Sequence, residues 1–360
     1  MATTNLKNAS PQVTAGNPMG LCGVDFVEYT GAGDAFFSQL FTNWGFKNIA
    51  QSSHNESPLK LFRQGEMNFI INNREGSFAE QFGKSHGPAI CSVGFRVANA
   101  ENAFRLAVER GARPFAGNDW QVDGQPLRAI YGIGDSLVYF VDAEVQGRIY
   151  NDLFHVPAGT DVVGFGFTIV DHFTNNVPVG EMQKWCDFYE NIFNFRETRY
   201  FDIRGKQTGL ISKVMRSPCG QFAVPINEPS DGKSQIQEYL DEYKGSGIQH
   251  LALLTPDILP SIKNLRDHDV GFLSPPPETY YRMLKDRLPN VTEDVDKLQK
   301  NAILVDGDHD GYLLQIFSKN IIGPIFFEVI ERKGHDGFGN GNFQALFDAI
   351  EQDQRERGYL

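Results

Sequence analysis

The chain has 360 residues, 41% hydrophobic and 12% aromatic side chains, and a formal net charge of −12. That length predicts two domains, since a single hydrophobic core rarely organises so long a chain, and the apolar content excludes global disorder. The acidic balance excludes nucleic acid as the partner, because phosphate binding needs a basic face; an anionic substrate remains admissible where a metal supplies local positive charge.

From Met1 to Gly16 the sequence is polar without an apolar stretch, so neither a signal peptide nor an anchor is expected. No later run is long and apolar enough to span a membrane, and a soluble, cytoplasmic protein is expected. Cys22, Cys91, Cys186 and Cys219 are scattered without a CxxC pair and read as reduced thiols rather than disulfides or a zinc site. Val24-Asp25-Phe26 opens a first strand. Phe36, Phe37, Leu40, Phe41 and Trp44 then follow at helical spacing up to Gly45-Phe46. After Ile71-Asn72, Cys91 to Val97 reads as a strand, Ala103 to Val108 as a helix and Leu137 to Val141 as a strand. The Gly-, Asp- and Asn-rich stretch Gly147 to Gly164 marks a boundary, giving domains 1–155 and 156–360.

The second half repeats the first with slowly growing offset. Val170-Asp171-His172 matches Val24-Asp25-Phe26, Asn194-Phe195 matches Gly45-Phe46, and Ile226-Asn227 matches Ile71-Asn72. Met182, Trp185, Phe188, Tyr189 and Ile192 supply the matching helix. Gly247 to Leu254, followed by Ile258, Ile262 and Leu265, repeats the second unit. The coarse reading is four strand-helix-strand-strand-strand modules, two in each domain.

In Ile321 to Ile330 an otherwise apolar strand carries Glu328, which alternation places on the face of Phe326 and Ile330. A buried carboxylate is normally paired or bound to a metal, and the run offers no Lys or Arg. His172 and His250 stand in two further strand-like runs. Two His and one carboxylate from three strands make the facial set that holds non-haem Fe(II). Singly, each has a plainer reading as a core histidine or an edge glutamate. The repeat shifts the balance: projected onto the first half, His172 falls on Phe26, His250 near Gly94 and Glu328 on Phe140, so one half is expected to bind metal and the other to have lost the site.

Ser274 to Asn301 has no counterpart in the first half. It reads as a wall over the site or, as the safer expectation, a surface excursion packing on itself. Asp336-Gly337-Phe338-Gly339-Asn340-Gly341-Asn342-Phe343 forms a glycine-rich loop with Asn342 as the expected N-cap of a final helix. Phe343, Leu346, Phe347 and Ile350 make its apolar stripe, and the helix reads as a lid or as a helix that simply docks.

Several of these segments together carry a resemblance. Val170-Asp171-His172, Pro225-Ile226-Asn227-Glu228, Lys233-Ser234-Gln235-Ile236-Gln237, Gly247-Ile248-Gln249-His250, Leu313-Leu314-Gln315-Ile316-Phe317, Phe326-Phe327-Glu328 with Glu331-Arg332, and Gly337 to Phe343 occur in order. With them the chain resembles the 4-hydroxyphenylpyruvate dioxygenases of the vicinal oxygen chelate superfamily over residues 18–358. The resemblance implies an α+β fold of two such domains, each an open barrel of two βαβββ modules, plus a C-terminal helix. It implies one Fe(II) per subunit on His172, His250 and Glu328, O2 as co-substrate and no 2-oxoglutarate. It implies an aromatic keto-acid pocket of Ser212, Asn227, Gln235, Gln249, Gln315, Phe317, Phe338, Asn342 and Phe343. Gln249 sits awkwardly, since a regular strand turns it away from His250 and its role needs a bulge. The reaction implied is oxidative decarboxylation, ring hydroxylation and side-chain migration to homogentisate, in tyrosine catabolism, and bacterial relatives imply a homo-oligomer, a tetramer or dimer. The alternative is 4-hydroxymandelate synthase, against which Pro225, Asn227 and Phe317 match the dioxygenase pattern. The terminal lid motif argues against a ring-cleaving dioxygenase or an isomerase on this scaffold. A metal-free ligand-sequestering protein would have no use for the triad.

Overall fold

The computed structural model describes residues 10–52, 58–117, 120–122, 125–205 and 207–360, without the side chains of Val122 and Asn340. The first part of the polar N-terminal stretch, residues 1–9, lies outside the described residues. The strands are β1 (Val24–Thr30), β2 (Lys47–Gln51), β3 (Lys60–Gln64), β4 (Met67–Ile71), β5 (Ala89–Arg96), β6 (Gln121–Val122), β7 (Gln125–Pro126), β8 (Ala129–Tyr131) and β9 (Leu137–Val141) in the first half. The second half contributes β10 (Val170–Asn176), β11 (Arg196–Arg204), β12 (Gly209–Arg216), β13 (Ala223–Pro229), β14 (Gly247–Leu254), β15 (Leu304–Gly307), β16 (Tyr312–Phe317) and β17 (Phe326–Lys333).

Two large curled sheets result, ordered β2-β3-β4-β1-β5-β9-β8 and β11-β12-β13-β10-β14-β17-β16-β15. Apart from the extra edge strand β15 they have the same order, and the repeat is therefore architectural. In each, the central strand is parallel to one neighbour and antiparallel to the other. The central strands β1 and β10 are buried along their whole length. Their alternate residues serve two different environments. One face of each sheet packs on helices, as where Tyr29 stands edge-on to Phe41 of helix Asp34–Asn43 at 4.8 Å. A few aromatic contacts join the two halves: Phe327 stands edge-on to Trp44 at 4.9 Å and to Phe69 at 6.0 Å, and Phe95 lies 6.1 Å from Phe173. Such aromatic pairs contribute about 0.5–1.5 kcal/mol each beyond their area. The other face encloses the interior of each open barrel. Among the described residues no helix is long and apolar enough to cross a membrane, and all four cysteines are free.

Strand register corrects the projection made from sequence. Phe26 pairs with Gly94 as His172 pairs with Ala252, which confirms Phe26 as the counterpart of His172. Two residues on, Glu28 pairs with Ser92 as Thr174 pairs with His250. His250 therefore corresponds to Ser92, not Gly94. Gly94 pairs with Tyr139 as Ala252 pairs with Glu328, so Glu328 corresponds to Tyr139, not Phe140. Loop lengths between these strands differ in the two halves, and only pairing fixes the match.

The interior of the first barrel is filled. Phe26 stacks on Trp120 with centroids 5.0 Å apart and lies 5.8 Å from Tyr139. Glu28 accepts hydrogen bonds from Asn72 at 2.6 Å and Trp120 at 2.9 Å, and also from Ser92.

Two expectations fail in the C-terminal part. The final helix, Asn340–Glu356, starts two residues before Asn342 and has Gly339 at its cap position, with φ 66° and no side-chain cap. Asn342 lies inside the first turn because its amide has stronger partners in the site. The insertion is not a separate excursion either: the Tyr280 hydroxyl lies 2.9 Å from Asn342 Oδ1 and accepts from the Val305 amide at 2.7 Å.

Candidate metal centre

His172 on β10, His250 on β14 and Glu328 on β17 meet inside the second barrel, 2%, 5% and 2% exposed, with one ligand atom of each within 4.8 Å of the others. Glu328 Oε2 lies 3.2 Å from His172 Nε2 and 3.5 Å from His250 Nε2. Neighbouring groups decide what those atoms are. His172 Nδ1 donates to Asp171 Oδ2 at 2.7 Å, and His250 Nδ1 donates to Gln249 Oε1 at 3.0 Å. Each ring is thereby assigned the tautomer with its hydrogen on Nδ1, leaving a lone pair on Nε2. Gln315 Nε2 donates to Glu328 Oε1 at 2.8 Å, so only Oε2 faces the histidines. Three acceptor atoms converge where a cation would complete them, and each has an outer partner of the kind that orients metal ligands.

Two β-bulges make this possible. On β10 the register skips Asp171, and on β14 it skips Gln249. Each bulged residue precedes a site histidine and turns to the side of that histidine's ring. The first half has bulges at the matching residues, Asp25 and Cys91.

Charges follow the same plan. Although burial opposes it, the paired Arg332 guanidinium holds the Asp171 carboxyl far below the usual carboxylate range, with help from His172. Arg332 donates to both Asp171 oxygens, at 2.7 and 2.8 Å. Burial also opposes a charge on His172, but Glu328 and Asp171 outweigh it and raise its affinity for a proton. Burial, reinforced by His172, pushes His250 well below the ordinary histidine value and keeps it neutral.

A narrow chamber opens from the triad, and Ser212, Asn227, Gln315, Phe317, Phe338 and Phe343 line it. Ser212 Oγ and Asn227 Oδ1 are buried there without a hydrogen-bond partner in the chain. Phe338 stands edge-on to His172 at 5.0 Å, and Phe343 edge-on to Phe201 at 5.2 Å. Three expected pocket residues sit elsewhere. Asn342 lies behind the wall, donating to Gln315 Oε1 at 2.9 Å. Gln235 and Gln249 line a neighbouring cavity, with Phe326 between it and the triad. Phe326 stacks on the His250 ring at 4.7 Å and closes that side. Gln249 is thus a residue that orients His250, and the bulge it needed is present.

The sequence reading missed Thr174, Phe201, Val214 and Leu346, which also line the chamber. Thr174, whose hydroxyl is 2.9 Å from His250 Nε2, shares a strand face with His172, and alternation would have found it. Val214 follows Ser212 in the same way. Phe201 comes from the sheet edge, and no local signal points to it.

Comparison with known proteins agrees with this geometry. Residues 15–155 match the family described as hydroxyphenylpyruvate dioxygenase, HPPD, N-terminal, and residues 169–316 match the glyoxalase/bleomycin resistance protein/dioxygenase superfamily. The chain is 46% identical to a 4-hydroxyphenylpyruvate dioxygenase of Legionella pneumophila (strain Corby), covering 96% of this chain and 98% of that protein. It is also 46% identical to a Vibrio vulnificus protein named hemolysin VllY, covering 97% and 99%. A solved mutant of 4-hydroxymandelate synthase from Streptomyces coelicolor superimposes with a TM-score of 0.80 at 25% identity, covering 92% of this chain and 98% of that one. With identity this high along almost all of its length, and with two glyoxalase-type sheets of the same strand order, the chain belongs to the 4-hydroxyphenylpyruvate dioxygenase family.

Proposed function

We propose that the protein is an Fe(II)-dependent dioxygenase that converts 4-hydroxyphenylpyruvate and O2 to homogentisate and CO2. The observation that carries this is the convergence of three acceptor atoms, two imidazole and one carboxylate, beside an aromatic-lined chamber in which Ser212 Oγ and Asn227 Oδ1 have no partner in the chain. His172, His250 and Glu328 would hold one Fe(II) per chain, which would supply the redox chemistry. The substrate carries its own 2-oxo acid group, so 2-oxoglutarate is not required.

The protein's part is placement. Asp171 and Gln249 hold the imidazoles with their lone pairs inward, and Gln315 holds the carboxylate. Ser212 and Asn227 offer hydrogen bonds to the phenol hydroxyl, which would complete their unpaired oxygens. Phe338 and Phe343 clamp the ring and exclude water, and Phe317 sets how far the ring can slide. Residues 1–155 form a supporting domain without metal, and residues 156–360 the catalytic one. The protein acts in the cytoplasm as a homo-oligomer, a dimer or tetramer; light scattering of the purified chain reads that state.

The second reading, 4-hydroxymandelate synthase, is favoured by the likeness to that enzyme's structure. It uses the same metal and substrate with benzylic hydroxylation. The deciding experiment loads the protein with Fe(II) without oxygen, then adds 4-hydroxyphenylpyruvate and O2. Homogentisate as the product supports the first reading, and hydroxymandelate replaces it with the second.

A further inference from the structure

Asp171, which orients His172, and the loop that closes the chamber are both held by one side chain, Arg332. It lies on β17 four residues beyond Glu328 and, by alternation, on the same face. Two of its nitrogens bind the Asp171 carboxylate, which in turn accepts from His172. Its remaining nitrogen, Nη1, donates to the backbone carbonyls of His335 at 3.0 Å and Gly337 at 2.6 Å. Those carbonyls lead directly into Phe338, whose ring faces His172 at 5.0 Å and lies 5.5 Å from the Arg332 guanidinium. Arg216 supports the same loop from another strand, donating to the Asp336 carbonyl at 2.8 Å. A planar fork of donors can serve a carboxylate and two carbonyls at once, whereas a lysine ammonium can face only one of these groups well.

We infer that Arg332 is a positioning residue that couples the orientation of His172 to the placement of loop 335–338, so that metal occupancy and loop order reinforce each other. The inference rests on the assignment of His172, His250 and Glu328 as a metal set. Coupling of this kind is reciprocal: a metal that fixes the His172 ring also fixes Asp171 and Arg332, and with them the two loop carbonyls. Arg332 does not line the chamber, and it acts through its neighbours.

The test uses the full-length protein and Co(II) alone as the probe. Its visible absorption gives the affinity, and amide hydrogen exchange of residues 334–343 at saturating Co(II) gives loop order. In the unmodified protein Co(II) should slow exchange in that segment about tenfold, a change on the scale of local opening equilibria, and leave β2 and β3 unaffected. Arg332→Gln should lose the slowing and about tenfold in Co(II) affinity, as loss of an outer partner typically does. Arg332→Lys keeps a charge opposite Asp171; it should stay within about threefold in affinity yet lose the slowing, because the ammonium cannot also span the carbonyls. If Arg332→Gln does not fold, Arg332→Lys carries the test. Metal-dependent slowing that survives in Arg332→Lys overturns the coupling, as does Co(II) binding by the unmodified protein without any slowing. An unmodified protein that binds no Co(II) overturns the metal assignment as well, so the two failures are told apart.

Discussion

At Glu328 one carboxylate oxygen is occupied by Gln315, and the other faces two imidazole lone pairs. Replacing Glu328, His172 or His250 with Ala should remove bound iron and oxygen uptake, each to below about 1% of the unmodified protein, while circular dichroism stays native. Loss of a buried carboxylate that has no cation of its own need not destabilise the fold. A Glu328→Ala protein with normal iron content would refute the assignment. Gln315→Leu should lower iron affinity by about 10–100-fold, the usual range for an outer partner, as read by metal titration. Phe317 lines the chamber beside Gln315 and stands edge-on to Phe326 at 6.3 Å. Phe317→Ile frees the ring to shift by on the order of 1 Å, enough to misalign so directed a reaction. Oxygen consumption should persist while homogentisate falls and benzylic hydroxylation products appear on chromatography. An unchanged homogentisate yield per oxygen would mean that Phe317 does not set the outcome.

Elements position these residues through irregularity. A regular β14 would send Gln249 to the opposite face from His250; the bulge lets it hold His250 Nδ1. The insertion and the final helix act together in the same spirit. Tyr280 contacts Asn342, Asn342 donates to Gln315, and Gln315 donates to Glu328, a chain from the surface insertion to a proposed ligand. Tyr280→Phe removes the hydroxyl at the outer end of this chain. At about 1 kcal/mol per lost hydrogen bond, the expected outcome is a small fall in melting temperature together with a several-fold drop in turnover. Activity identical to that of the unmodified protein would show that the insertion merely covers the surface.

Across the whole molecule, the two barrels share one strand order but have opposite interiors. The first is closed by the Phe26–Trp120 stack and a carboxylate bonded within the chain; the second keeps a chamber. Phe140, first matched to Glu328, instead lies by Phe104 at 6.2 Å and Phe193 at 6.1 Å, fully buried. Phe140→Glu should therefore leave the metal content of the protein unchanged and destabilise it by about 3–5 kcal/mol, the cost of an uncompensated buried charge. Tyr139→Glu at the true counterpart should also create no second site, because Phe26 and Ser92 occupy the other two ligand positions. Metal content and thermal melts of both variants check this; a second bound iron in either would contradict it.

From the sequence alone come the repeat, the strand-helix order and the proposal of His172, His250 and Glu328, three residues that the structure brings together. These were legible because a lone polar group in a buried strand is costly and period-2 alternation says where it points. Asn227, Gln315 and Phe317 were reached through the family likeness, and alternation supported the last two. What sequence could not fix was anything set by pairing. A bulge belongs to two strands jointly, so the direction of Gln249 and the true partners of Ser92 and Tyr139 required the register. Asn342 looked like a helix cap because capping is a local pattern; its partners Gln315 and Tyr280 are 27 and 62 residues away in the chain. Tertiary structure decided those roles, since a side-chain amide takes the best partners available in space rather than those nearest in sequence.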